Sequence, residues 1–128
     1  MRKPYWREIS PTWYLSNWPY RWFMVREMTS VFIGAYLVFL VVWLFRLAAG
    51  AQSFEQMLVA MRRPLSIVFH AIVLAAALYH SITWFNLTPK VMPVHIGEER
   101  LPAPLVAIGM GYLPWVVLSA LMVWGVLR

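Results

Sequence analysis

Cysteine is absent from the 128 residues, so disulfides, thiolate metal sites, iron–sulfur ligation by this chain and cysteine nucleophiles are all excluded. Charge is scarce as well. Only 12% of the residues are Asp, Glu, Lys or Arg, against about a quarter in an average soluble domain. A soluble chain of this length buries one core under a polar skin, and too few polar residues are present to make one. In their place stand 62% hydrophobic residues, 8 Trp and a mean hydropathy of +0.64. This is the composition of a membrane protein. The net charge of +6 does not point to nucleic acid, because the basic residues flank apolar runs instead of clustering on a polar face.

Three of those runs reach the roughly 20 residues that a helix needs to cross about 30 Å of hydrocarbon. They lie at residues 23–45, 65–87 and 105–127. Proline marks their edges, with Pro64 ahead of the second, Pro89 behind it, and Pro102 and Pro104 ahead of the third. Pro114 falls inside the third and predicts a kink there. The expected fold is an all-α integral membrane protein: three transmembrane helices forming a single membrane-anchor domain over residues 1–128, with short loops and no separate soluble domain.

Basic residues set the expected orientation. Arg2, Lys3, Arg7 and Arg21 precede the first span and Lys90 and Arg100 lie in the second loop, whereas Arg46, Arg62, Arg63 and Arg128 belong to the other side. This modest excess predicts a cytoplasmic N-terminus and second loop, with the polar segment 50–63 facing outward. The lead 1–22, rich in Trp, Tyr and basic residues, reads as a cytoplasmic headgroup belt suited to anionic lipid or a peripheral partner. The small-x-small site in "LAAGAQS" raises the question of a cleaved signal peptide. A lead that runs to residue 22 and a bilayer-length apolar run do not fit one.

An ionisable side chain at mid-bilayer costs about 2.5–3.5 kcal/mol or more, so each one inside a span must be paired, near an interface or functional. Arg26, Glu27, His70 and His80 are the candidates. Arg26 and Glu27 stand about four residues into the first run, roughly 6 Å from its cytoplasmic end. Neighbours on a helix point about 100° apart, an unfavourable geometry for a mutual salt bridge. Arg26 can snorkel to the phosphates, while the shorter Glu27 needs a partner or a task. The plain alternative is a carboxylate favoured near a helix N-terminus by the dipole alone.

The second span ends "LYHSITWFNLTPK". His80 and Trp84 are four apart and share a helix face, and Thr83 and Asn86 add a hydroxyl and an amide. An antiparallel second helix brings Trp84 to about the depth of Glu27 and leaves His80 about 6 Å deeper. A carboxylate, an indole N–H and an imidazole in one such cleft suit a quinone. Quinol oxidation releases protons and electrons together, so its site needs an acid–base group, hydrogen-bond donors for the oxygens and apolar walls. Glu27 would handle the proton and Trp84 would donate a hydrogen bond. Arg26 would favour the ionised form of Glu27 or contact a second oxygen.

Two other classes compete. His70 and His80 invite haem ligation, but ten residues of helix separate them by about 15 Å, so any second ligand would come from another subunit. That reading is a haem b-binding succinate dehydrogenase anchor. A small proton-coupled membrane transporter would use Glu27 instead, but its carboxylate belongs near mid-membrane, usually in a four-span chain.

The blocks "RKPYWREISPTWYL", "PYRWFMVREMTSV" and "LAAALYHSITWFNLTPK" follow one another in the order and spacing of the fumarate reductase C-subunit family, which this sequence resembles over nearly its whole length. The resemblance implies one of two small three-helix anchors of bacterial quinol:fumarate reductase, a multi-pass protein of the bacterial inner membrane serving anaerobic fumarate respiration. It also implies a helix bundle shared with a second hydrophobic anchor (D), seating an iron–sulfur protein (B) and a flavoprotein (A) that reduces fumarate to succinate. Menaquinol would be oxidised at the interface between these chains, with FAD and iron–sulfur clusters only in the partners and no haem in this type. By motif match, Arg26, Glu27, His80 and Trp84 correspond to the family's quinol-site positions, with Glu27 as proton acceptor. The loop "GAQSFEQMLVAMRRP" is less distinctive and carries no role over.

Overall fold

The computed structural model describes residues 8–128, so Arg2, Lys3 and Arg7, invoked above for orientation, lie outside the described residues. A 3-10 turn, Trp13–Leu15, precedes helix α1, Trp18–Ala48. Pro19 occupies the first turn of α1, where its missing N–H has no helical partner to lose. Helices α2, Ala51–Met61, and α3, Pro64–Val91, follow. A two-stranded antiparallel hairpin, β1 His95–Ile96 and β2 Glu99–Arg100, then leads to α4, Ala103–Ala107, a π-helical turn, Ile108–Tyr112, and α5, Leu113–Leu127.

Three helical stretches have the length and hydropathy to cross a membrane: Trp18–Ala48, Pro64–Val91 and Ala103–Leu127. No residue of α1 is buried, and large apolar side chains such as Leu37, Val38 and Leu44 stand open along it. A helix that is apolar on every side and still exposed is matched to hydrocarbon, not water. The three-span, all-α fold expected from the apolar runs is the one found.

The spans run past the apolar runs. α1 begins at Trp18, not at residue 23, because Trp, Tyr and Arg can continue a helix through the interfacial layer where they are most at home. α3 does not stop before Pro89, which lies inside it. A proline in the last turn removes a single backbone bond, and the helix end is capped in another way: Arg100 Nη2 donates to the Pro89 carbonyl at 3.3 Å, setting a cation on the negative end of the helix. Segment 50–63, read from the sequence as a polar connection, is largely α2. Its Ala, Gln, Glu, Met and Leu are good helix formers, and Phe54 packs edge-on against Trp43 of α1 with ring centroids 5.1 Å apart. Eleven residues are too few to cross a bilayer.

The chain divides into two compact units, one ending at Ala76 and the other running from Ala77 to Arg128, with α3 continuous through the boundary. In the first unit, α1 offers a partly shielded stripe at Arg26, Thr29, Ile33, Tyr36, Phe39 and Trp43, steps of three and four that keep to one helix face. Tyr36 and Phe39 meet Phe69 and His70 of α3 in a cluster of rings whose centroids lie 5.2 to 6.3 Å apart. In the second unit, Phe85 of α3 stands edge-on to Tyr112 at 5.1 Å and near Trp115 at 5.9 Å, beside buried Val106, Ala107 and Gly111. The hairpin turns at Gly97 and Glu98. Gly97 has φ +62°, and among the described residues no non-glycine has positive φ, the pattern of a two-residue turn with glycine in its first central position.

Candidate functional site

Polar side chains in the spans first look to their own helices. Thr29 Oγ1 donates to the Arg26 carbonyl and Ser30 Oγ to that of Glu27. On α3, Thr83 Oγ1 shares its proton between the carbonyls of Tyr79 and His80 at 2.8 and 3.0 Å, and Thr88 Oγ1 donates to Trp84 at 2.8 Å. Such back-bonding lets a hydroxyl sit in hydrocarbon without another partner. Thr83, expected to lend a hydroxyl near the quinone-like set, is thus occupied by its own backbone.

Arg26 and Glu27 touch only loosely, as their adjacent positions on the helix imply. Arg26 Nε donates to Glu27 Oε1 at 3.4 Å, well beyond the roughly 2.7–2.9 Å of a strong charge-assisted bond. The two side chains are unequally covered: that of Arg26 is 11% exposed, that of Glu27 42%. Arg26 belongs to the shielded stripe of α1, and its guanidinium lies 5.0 Å from the centre of the Phe23 ring. Glu27, about 100° round the helix, opens to the surroundings with one oxygen loosely held. An apolar groove of about 370 Å³ runs along the same turns, walled by Tyr14, Met24, Met28 and Phe32 and reaching Thr29.

His80 and Trp84 are brought together as their spacing implies, with ring centroids 6.2 Å apart and planes inclined by 52°. Trp84 is 37% exposed. Asn86 turns elsewhere: its Nδ2 donates to the Ile82 carbonyl and to Tyr112 Oη, each at 2.8 Å. Arg26 and Glu27 belong to the first unit, His80 and Trp84 to the second.

His70 is held by its own helix. Its Nδ1 is 2.6 Å from the Ser66 carbonyl, and because a carbonyl only accepts, Nδ1 carries the proton and Nε2 holds the free lone pair. That Nε2 is buried without a partner. The rings of Tyr36, Phe39 and Phe69 stand edge-on to the imidazole at 5.2 to 5.6 Å. Among the described residues, no three His, Asp or Glu side chains gather as a metal site would require.

Sequence reasoning passed over Tyr112 and Gly111. Neither carries a pattern that singles it out, since a tyrosine and a glycine in a span are read as interface and packing residues until a partner is known.

Three exposed apolar helices long enough to cross hydrocarbon define a multi-pass membrane protein. The family model for the C subunit of fumarate reductase matches residues 1–127, and the chain belongs to that family. It is similar to the fumarate reductase C subunit of Mycobacterium tuberculosis (strain CDC 1551 / Oshkosh), with 30% identity over 123 residues covering 96% of this chain and 97% of the relative. The Vibrio cholerae protein of the same name (serotype O1, strain ATCC 39541 / Classical Ogawa 395 / O395) is 34% identical over 84% of both chains. That of Salmonella heidelberg (strain SL476) is 37% identical over 82% of this chain and 81% of its own.

Proposed function

We propose that this chain is the anchor that helps build the menaquinol oxidation site of a quinol:fumarate reductase, with Glu27 as the group that takes the quinol proton. The observation that carries the reading is the pair in α1: a 42% exposed carboxylate, loosely held by a shielded arginine, inside a span of a chain from this family. A carboxylate free enough to change partners can accept a proton, whereas one locked in a tight bidentate bridge cannot do so cheaply. Arg26 is the resting partner that the carboxylate leaves when a quinol hydroxyl takes its place. Trp84 offers an indole N–H and His80 an imidazole on one face of α3, groups suited to hold quinol oxygens.

The electrons have no carrier in this chain, which has no cysteine to ligate a cluster, so they pass to a partner. We assign that role to an iron–sulfur protein (B) joined to a flavoprotein (A), held at the bacterial inner membrane by this chain and a second anchor (D). The basic residues Arg2, Lys3, Arg7, Arg21, Lys90 and Arg100, against Arg46, Arg62, Arg63 and Arg128 on the other side, support a cytoplasmic N-terminus and hairpin, the side on which those partners would sit.

The test is Glu27→Gln in the assembled complex. Quinol-driven fumarate reduction is expected to fall by about 10² to 10⁴, the usual contribution of a positioned acid–base group. Fumarate reduction from an artificial water-soluble donor should stay normal. Normal quinol turnover in that variant would remove Glu27 from proton transfer.

A further inference from the structure

We propose that Gly111, Phe85, Asn86 and Tyr112 form a clamp that sets the rotation of the α3 end carrying His80 and Trp84, making them positioning residues for the quinol site; the functional half of this inference rests on the quinol reading above. Two independent contacts compose the clamp. The first is steric. A Cβ on Gly111 would lie 2.7, 2.8 and 2.9 Å from Cγ, Cδ1 and Cβ of Phe85. Cβ is fixed by the backbone, and a χ1 swing of Cγ and Cδ1 would break the ring contacts with Tyr112 and Trp115, so a larger residue presses the two backbones apart. The second is polar: Asn86 Nδ2 donates to Tyr112 Oη at 2.8 Å, a bond between two spans in an apolar layer. The close approach fixes the separation, and the directional bond fixes the angle.

The placement of these residues on α3 gives the clamp its effect. Each residue turns the helix by about 100°, so Phe85 and Asn86 together point about 170° away from the face shared by His80 and Trp84. A grip on the back of α3 therefore aims its front without obstructing it. Both gripping positions of the third span, Gly111 and Tyr112, lie within its π turn. Such single-turn irregularities inside helices often accompany functional sites.

Gly109 supplies the control. It lies in the same π turn, and a Cβ there would meet nothing within 4 Å. Gly111→Ala and Gly109→Ala thus change backbone freedom alike and differ in the clash alone. In the assembled complex, Gly111→Ala is expected to raise KM for a menaquinol analogue about tenfold, since an ångström of misplacement can cost two orders of magnitude. Gly109→Ala should stay within about twofold and Tyr112→Phe should shift KM in the same direction by about threefold, in keeping with the roughly 0.6 kcal/mol of an average interhelical bond. Turnover with an artificial donor should be unchanged in all three.

A structural readout runs beside the kinetics. The full chain has no native cysteine, so spin labels on Thr88→Cys and Met110→Cys, in nanodiscs, report the spacing of the two spans by dipolar broadening. The clamp predicts altered broadening with Gly111→Ala and none with Gly109→Ala. Equal spectra and equal KM for the two alanine variants would overturn it, and displaced labels with unchanged KM would overturn its positioning role. Should Gly111→Ala fail to assemble, Tyr112→Phe decides: a KM within about 1.5-fold of the parent, against the threefold expected of a lost interhelical bond, sinks the proposal. If His80→Ala and Trp84→Phe leave quinol kinetics untouched, the quinol reading fails, and the label spectra still judge the clamp.

Discussion

Replacing His70 by Phe should leave the protein as stable as before or make it more so, an unusual outcome for a partly shielded polar residue. In the parent chain Nδ1 donates to the Ser66 carbonyl at 2.6 Å while Nε2 is buried with no partner. A buried acceptor left unsatisfied costs about 1–3 kcal/mol, and the bond at Nδ1 returns about 0.5–1.5 kcal/mol. Removing both therefore shifts stability by about −0.5 to +2.5 kcal/mol, in favour of the variant over most of that range. The incoming ring joins Tyr36, Phe39 and Phe69, whose edge-on contacts with the imidazole at 5.2 to 5.6 Å are geometries that phenyl rings also favour. The assay is unfolding of the full chain by SDS titration in mixed micelles, run beside quinol-driven turnover of the assembled complex. A loss of more than about 1 kcal/mol would mean that Nε2 is not the liability inferred from its isolation. Loss of a Soret band with the variant would support the haem reading.

Two further outcomes concern the connection between the second and third spans. Gly97→Ala places a Cβ at φ +62°, at a cost of about 1–2 kcal/mol for the left-handed conformation, and should speed amide exchange across His95–Arg100 while sparing the spans. Arg100→Gln removes the cation donating to the Pro89 carbonyl and should destabilise the end of α3 by about 0.3–1 kcal/mol, seen as faster exchange at Lys90 and Val91 in low salt and a smaller effect in high salt.

How far the fold could be read beforehand follows from what kind of information each element needs. The three spans were legible because crossing hydrocarbon takes a long apolar run and little else, a property written locally. α2 was not, although Phe54 and Met57 were visible, because an eleven-residue helix draws its stability from packing such as Phe54 on Trp43, which only tertiary structure supplies. Pro89 misled for a related reason: proline near a helix end is a stop signal, yet the last turn tolerates its missing N–H, and Arg100, eleven residues on, caps the helix end at the Pro89 carbonyl. At the candidate site, the His80 and Trp84 pairing was legible because four-residue spacing guarantees it. The looseness of the Arg26 and Glu27 contact, 3.4 Å, was legible too, since neighbours about 100° apart on a helix form no close bridge. Asn86 with Tyr112 joins residues 26 positions apart, and no local pattern announces such a pair.

The π turn at Ile108–Tyr112 also alters how the third span should be counted. A turn of this kind holds one residue more than a straight α-helix would, so side chains beyond it are out of phase by about 100° with those before it. The stretch with Val106 and Ala107 and the stretch with Trp115 and Trp124 thus obey two separate heptad-like clocks within one continuous rod. Loss of a single residue there would straighten the turn and bring residues 113–127 about 100° back into phase with Val106 and Ala107.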